Sequence, residues 1–265
     1  MIIEEIRCKS LLHRCPMDFA DFTLNPYEGC AFGCLYCYVP VIRVKRGQED
    51  AVPWGQWARV KINAREVLRH ELKRAPFGSR IAFGTATDSY QPLEKRYRIT
   101  RGLLEELSWL PYTVSITTRS PIVLQDADLI ASMSDIRINF SLPTHDDRVR
   151  KTLEPYAPSA QSRLKAIERL TAKGVAVNVF MAPLLPGAMD NESMIWRYCK
   201  AVADSGAKRV VCGSLRHLAY FRKAYQQRLE SIGMGQSALT REQFPIVLRQ
   251  IGESQGLCID CYDRG

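Results

Sequence analysis

Three cysteines, Cys30, Cys34 and Cys37, stand in the stretch Asn25-Pro-Tyr-Glu-Gly-Cys-Ala-Phe-Gly-Cys-Leu-Tyr-Cys-Tyr38 at the spacing C-x3-C-x2-C. Thiolates this close in sequence can wrap one loop around a soft-metal centre, and iron–sulfur clusters are the usual occupant of such loops. A cubane has four irons and normally four cysteine ligands, so three ligands leave one iron open to a small molecule. Gly29 and Gly33 supply the permissive backbone angles that a chain folding tightly around a cluster needs. A zinc loop and three core cysteines are the other readings. Zinc normally takes four ligands in paired short spacings, and no second pair stands nearby.

Other residues are placed to do chemistry. Cys258-Ile-Asp-Cys261 is a C-x2-C pair; in cytosol such a pair serves redox exchange or metal binding, or its two small apolar side chains pack the tail. If the tail covers an open barrel side, Cys258 or Cys261 is a candidate hydrogen donor or ligand. Cys8, His13 and Cys15 read as buried thiols and a surface histidine rather than a metal site. Trp54 and Trp57 lie between Arg46 and Arg59. Aromatics interleaved with cations stack bases and neutralise phosphates; they equally plug a hydrophobic gap.

The chain has 265 residues, 46% of them hydrophobic, which fits one sizeable α/β unit. There is no apolar run of transmembrane length, and Met-Ile-Ile-Glu-Glu-Ile carries acids with no apolar segment of a signal peptide. Nine cysteines without a secretion signal point to the cytoplasm. The net charge of +9 favours anionic partners, nucleic acid among them.

The elements that must position these residues alternate. Strands are expected at Phe19 to Leu24, Arg80 to Gly84, Thr113 to Thr118, Ile136 to Leu142, Val175 to Met181 and Lys208 to Cys212. Helices are expected at 63–75, 93–107, 121–133, 159–173, 191–205, 218–229 and 240–254, with 39–60 irregular around Pro40, Gly47, Pro53 and Gly55. Repeated strand–helix units imply a parallel sheet, and ligands then sit at the C-terminal ends of its strands. Polar or glycine-containing runs follow those ends: Gly84-Thr-Ala-Thr-Asp-Ser-Tyr90, Thr117-Thr-Arg-Ser120, Ser141 and Met181-Ala-Pro-Leu-Leu-Pro-Gly187. The whole chain reads as one domain: an N-terminal segment and first strand (1–24), the cluster loop (25–38), the barrel (39–212), and C-terminal helices with the cysteine tail (213–265).

The cysteine triplet with Tyr36 before its third member resembles the signature of radical S-adenosylmethionine (SAM) enzymes. Together with Gly-Thr-x-Thr-Asp-x-Tyr-Gln-Pro-x-Glu, Ile-Thr-Thr-Arg-Ser and Leu-Glu-Pro-x-Ala-Pro-Ser, it is similar to the spore photoproduct lyase-like branch, from about Lys9 to Cys212. The resemblance implies a partial (β/α)6 barrel with C-terminal helices. It also implies a [4Fe–4S] cluster on Cys30, Cys34 and Cys37, SAM across the rim, and a reductant such as flavodoxin or ferredoxin. It places Tyr36 near the adenine, Thr87 and Asp88 on the SAM amino group and ribose, Arg119 and Ser141 on its carboxylate, and Ala182 by the adenine. Arg119 falls where the lyases carry lysine, exchanging a point charge for a fork. Tyr38 matches a tyrosine implicated in passing the radical. Thr85 falls where the lyases carry a hydrogen-donating cysteine, so their reaction does not transfer directly.

The expected activity is reductive cleavage of SAM to a 5′-deoxyadenosyl radical, by an enzyme of lyase or transferase type, with a nucleic-acid substrate favoured. The alternatives are a small-molecule or peptide substrate, and a non-catalytic iron–sulfur sensor.

Overall fold

The computed structural model describes residues 1–48, 51–189, 191–240 and 242–262. The N-terminal part holds β1 (Ile2–Ile6), β2 (Leu12–Arg14), β3 (Phe22–Leu24), β4 (Tyr27–Gly29), α1 (Tyr38–Lys45), β5 (Trp57–Lys61) and α2 (Ala64–Leu72). There follow β6 (Arg80–Phe83), α3 (Glu94–Tyr97), α4 (Ile99–Leu107) and β7 (Thr113–Thr118), then a 3-10 turn (Pro121–Asp126), α5 (Ala127–Ser132) and β8 (Ile136–Ser141). The chain continues through α6 (Asp147–Leu153), α7 (Ala160–Ala172), β9 (Ala176–Met181), α8 (Glu192–Asp204) and β10 (Arg209–Gly213). It ends in α9 (Leu218–Glu230), α10 (Gln243–Ser254) and β11 (Cys258–Tyr262).

One sheet runs in the order β11-β10-β9-β8-β7-β6-β3-β2. Its members from β3 to β11 pair in parallel, and β2 alone runs antiparallel, against β3. This is the expected partial α/β barrel, with its six strands in the expected order. Alternation along the strands explains its two faces. Val114 and Ile116 of β7, Ile138 and Phe140 of β8, and Val177 and Val179 of β9 are buried and join the core formed with the helices. The intervening Ser115, Thr117, Asn139 and Asn178 face the other way and are half-buried. Parallel sheets are usually apolar on both faces; here the inner face is polar, and Asn178 Nδ2 donates to Asn139 Oδ1 across it at 3.1 Å.

Four differences from the expected elements have physical causes. Residues 39–60 contain α1, because Pro40 lies in its first turn, where a missing N–H leaves no hydrogen bond unmade. The expected helix 93–107 breaks into α3 and α4 at Arg98, which takes φ of 50°. Glu94 accounts for the break: its carboxylate accepts from Thr100 N (3.0 Å) and Arg101 N (3.1 Å), filling the donors at the start of α4. A second sheet, β1-β5-β4, was not expected; its strands are short and its pairing spans up to 55 residues. The tail is β11 rather than a cover over the barrel's open side. It extends the sheet beside β10, with Arg209 opposite Cys258 and Cys212 opposite Cys261.

Candidate functional site

The loop carrying Cys30, Cys34 and Cys37 follows β4 of the small sheet, which comes directly after β3 of the main sheet, so the loop begins just past the C-terminal end of β3. Its path depends on Gly29, which takes φ of 75°; a Cβ there would lie 2.6 Å from the Trp57 carbonyl oxygen. The loop is held from three directions. Ala31 N donates to Gln91 Oε1 (3.0 Å), Thr87 Oγ1 donates to Gly29 O, and Leu35 N donates to Leu153 O (2.9 Å). Cys30 and Cys34 are buried and Cys37 is half-buried, packed with Phe32, Tyr36, Val149, Leu153 and Trp54.

Burial pushes all three thiols up to about 12. Loading the site therefore displaces their protons, as metal binding to thiols does. Among the described residues no three His, Cys, Asp or Glu side chains converge on one metal ion. Three thiols on one buried loop are a donor set that suits iron–sulfur ligation, whereas a structural zinc ion normally takes four ligands.

Beside the loop is a buried charged network. Arg119 Nη1 donates to Cys34 Sγ (3.1 Å), to Tyr36 Oη (3.2 Å) and to Glu154 Oε1 (2.5 Å). The second oxygen of Glu154 accepts from Arg163, which also donates to Ser141 O (3.2 Å) and Pro158 O (3.0 Å). Tyr36 Oη donates to Glu154 as well. Burial opposes the charge of Arg119, but Cys34, Glu154, Tyr36 and Asp88 outweigh it and hold the guanidinium ionised. Burial likewise raises Glu154, and Arg163 with Arg119 overrides that and holds the carboxyl below its usual range.

The structure brings most of the expected rim residues together. Asp88 accepts from Thr118 Oγ1 (2.7 Å), Tyr90 N (2.9 Å) and Arg119 N (2.8 Å), which locks the loop after β6 to the end of β7. Thr87 supports the cluster loop through Gly29, and Gln91 Nε2 donates to its hydroxyl at 3.1 Å. Tyr36 is buried among the cysteines. Ser141 ends β8, linked to the network through its carbonyl, and Ala182 directly follows β9. Tyr38 opens α1, and its hydroxyl donates to Thr85 O. Thr85 is also gripped by Asn25, whose Nδ2 donates to its hydroxyl at 3.2 Å.

The tail does not join this group. Cys261 is bonded to Cys212, and Cys258 is an exposed thiol at the opening of β11. On a strand, residues three apart point to opposite faces, so C-x2-C does not gather these two thiols at one point. Cys258 opposes Arg209, at the start of β10, whereas the cluster loop lies beyond the strand ends. The tryptophans are structural: Trp57 is buried over Gly29, and Trp54 packs edge-on to it, with ring centroids 6.0 Å apart, and against the cysteine cluster.

Glu154, Gln91 and Arg163 are the residues the sequence reading left without roles. Glu154 and Gln91 stand in the Leu-Glu-Pro and Tyr-Gln-Pro-x-Glu runs; a hydrogen-bonding side chain followed by proline at a loop bend was the available signal. Arg163 carried none, because it lies within a helix that reads as amphipathic.

A partial α/β barrel with a buried three-cysteine loop on its rim, flanked by a guanidinium and a carboxylate, defines a cofactor-dependent α/β enzyme architecture. The model of the Radical SAM superfamily matches residues 24–202, and the chain belongs to that superfamily. Its members use a [4Fe–4S] cluster together with SAM. The chain is 28% identical over 193 residues to an uncharacterized protein of Methanocaldococcus jannaschii, covering 73% of this chain and 71% of that one. It is 26% identical over 172 residues to the Radical SAM Nalpha-GlyT isomerase of Pseudomonas phage M6, covering 64% of this chain and 34% of the phage protein. Among solved structures, spore photoproduct lyase complexed with dinucleoside spore photoproduct superposes with a TM-score of 0.73, covering 98% of this chain and 82% of the lyase chain. At 14% identity that likeness is one of fold.

Proposed function

We propose that Cys30, Cys34 and Cys37 hold the [4Fe–4S] cluster and that the chain is a cytoplasmic radical SAM enzyme acting on nucleic acid or a nucleobase-bearing substrate. Bound there, the cluster and SAM would supply one-electron cleavage of a carbon–sulfur bond and, through it, radical hydrogen abstraction. The chain's own residues bind and orient. Arg119 presents a cation to the SAM carboxylate, and such charge-assisted bonds are the strong ones. Ser141 offers a short hydroxyl to the same group, Asp88 orients the amino end, and Tyr36 and Ala182 border the adenine. Gly29, Thr87 and Gln91 keep the loop in place, and burial of the thiols excludes water. Tyr38 stands between the cluster loop and Thr85, placed to pass a hydrogen atom.

The observation that carries this reading is Arg119, whose guanidinium donates to Cys34 Sγ and lies 4.0 Å from Asp88 Oδ2 while its backbone N–H donates to the same carboxylate, one residue joining the cysteine loop to the adjoining rim. The substrate class is supported by the net charge of +9 and by the dinucleoside in the complex of the similarly folded lyase. The polar inner face of the barrel suits a substrate rich in hydrogen-bonding groups. Lyase and transferase outcomes are both open to this chemistry, and a flavodoxin or ferredoxin would supply the electron. The test is anaerobic reconstitution with iron, sulfide, dithionite and SAM. Formation of 5′-deoxyadenosine is expected, and its absence from a cluster-loaded sample would favour the sensor reading. Oligonucleotide binding that weakens with salt would separate nucleic acid from a small-molecule or peptide substrate.

A further inference from the structure

Much of the chain's positive charge gathers on two helices beside the cysteine loop. α1 carries Arg43 and Lys45 with no acid, and Arg46 follows it. α9 carries Arg222, Lys223 and Arg228 and no acid before its last residue, Glu230; Arg216 precedes it. The two helices meet: Lys45 Nζ lies 5.2 Å from the ring centroid of Tyr220. Tyr220 is 56% exposed. Lys223, one helical turn on, shares its face. Lys45, Arg46, Arg216 and Lys223 are all exposed.

The opposite face of α9 is apolar. Leu218, Phe221, Tyr225 and Leu229 pack into the cluster that contains Cys30, Cys34 and Tyr36. The basic face is therefore fixed to the core of the cysteine loop. Tyr38 opens α1, and its hydroxyl donates to Thr85 O in the loop after β6, so the helix that carries Lys45 starts at the C-terminal ends of the strands beside the cysteine loop.

We propose that Lys45, Arg46, Arg216, Tyr220 and Lys223 form a docking face for a nucleic-acid strand, with phosphates on the cations and a base stacked on Tyr220. Cations around an exposed aromatic ring make the combination that holds single strands without reading sequence. Trp54 and Trp57 do not offer it, being packed inside. The inference rests on the nucleic-acid reading of function and gives that reading its surface. An acidic protein reductant would also be drawn to positive charge, but the exposed Tyr220 ring among the cations favours the strand.

The experiment measures binding of a labelled single-stranded oligonucleotide to the full chain by anisotropy over a salt series, under anaerobic conditions, with substrate-free 5′-deoxyadenosine formation by the same samples using dithionite. In K45Q/K223Q two phosphate contacts are lost, so the slope of log affinity against log salt should shrink by about 1.4, at about 0.7 per contact for single strands. Tyr220→Ala should weaken binding about fivefold or more, the lower end of what one stacked base contributes, and Tyr220→Phe should not. All three variants should make 5′-deoxyadenosine as the wild type does. Wild-type affinity and slope in K45Q/K223Q would overturn the proposal. So would normal oligonucleotide binding combined with lost reduction by flavodoxin, which would assign the face to the electron donor. If the wild-type protein makes 5′-deoxyadenosine but binds no oligonucleotide, the substrate class and this face both fall while the radical chemistry stands. If it binds through this face but makes none, the docking face stands and the radical reading falls.

Discussion

Arg119 Nη1 lies 3.1 Å from Cys34 Sγ, so one guanidinium on the loop after β7 donates directly to a cysteine of the candidate cluster loop. Hydrogen bonds to cluster sulfurs and nearby charge are among the factors that set iron–sulfur reduction potentials. Arg119 therefore has two measurable effects. Arg119→Ala should weaken SAM binding by about 1.5–3 kcal/mol, the range for hydrogen bonds to charged groups. It should also move the cluster potential to a more negative value, without loss of iron. Equilibrium SAM binding and an EPR-monitored redox titration check both; wild-type values in each would show that Arg119 serves neither partner.

Replacing Cys30, Cys34 or Cys37 by Ala should abolish cluster assembly and 5′-deoxyadenosine formation, because two thiolates do not hold a cubane firmly. Iron and sulfide analysis with visible absorption reads the outcome. Full iron content in Cys34→Ala would remove the assignment.

Glu154 is 1% exposed and bridges Arg119 and Arg163. Removing one partner of such a buried group leaves uncompensated charge, so Glu154→Gln should cost about 3–5 kcal/mol of stability. The pH dependence follows from the sign of the shift. Burial acts upward on this carboxyl, but Arg163 and Arg119 prevail and hold it below its ordinary value of 4.5. Its contribution is therefore complete above 4.5 and is lost as pH falls through the lower folded value. Urea unfolding across the acid range should show this loss in the wild type and a flatter profile in Glu154→Gln. Parallel profiles would place the stabilisation elsewhere.

The bond between Cys212 and Cys261 closes a stretch of 49 residues. Chain-entropy reasoning assigns such a closure about 4 kcal/mol. Cys261→Ala, or reduction of the wild type, should lower unfolding free energy by up to that amount while leaving iron content and SAM cleavage unchanged. Loss of iron in Cys261→Ala would instead tie the tail to the metal centre.

The six strands of the barrel were legible because each carries a run of β-branched or apolar residues ended by polar turns, and Thr113–Thr118 was bounded to the residue. The positions of the cysteine loop and of Asp88, Arg119 and Ser141 beside the strand ends were legible, because polar runs follow those strands in the sequence. What the sequence did not show depends on distance. β11 looks like a redox motif until its register with β10 places Cys261 opposite Cys212. α1 looks broken by Pro40, although the first turn of a helix tolerates proline. Glu154 and Arg163 meet only after the chain turns through Pro155 and Pro158, and no local pattern marks a pair that must converge in three dimensions. Trp54 and Trp57 have the composition of a base-stacking loop; packing against Gly29 and the cysteine loop directs them inward.

β11 also covers an edge. The outer side of β10, with Val210 and Val211 at its centre, pairs with Ile259 and Asp260. Until residues 258–262 have been made and docked, that side presents a row of unpaired N–H and C=O groups, the feature through which sheets recruit strands from other molecules. The last strand thus covers β10 and becomes the edge itself, a short one that carries the charge of Asp260, both features that blunt edge-to-edge pairing. A chain ended before Cys258 should keep its cysteine loop yet come out of the cell as aggregate, so the tail's contribution would be read in soluble yield before it could be read in catalysis.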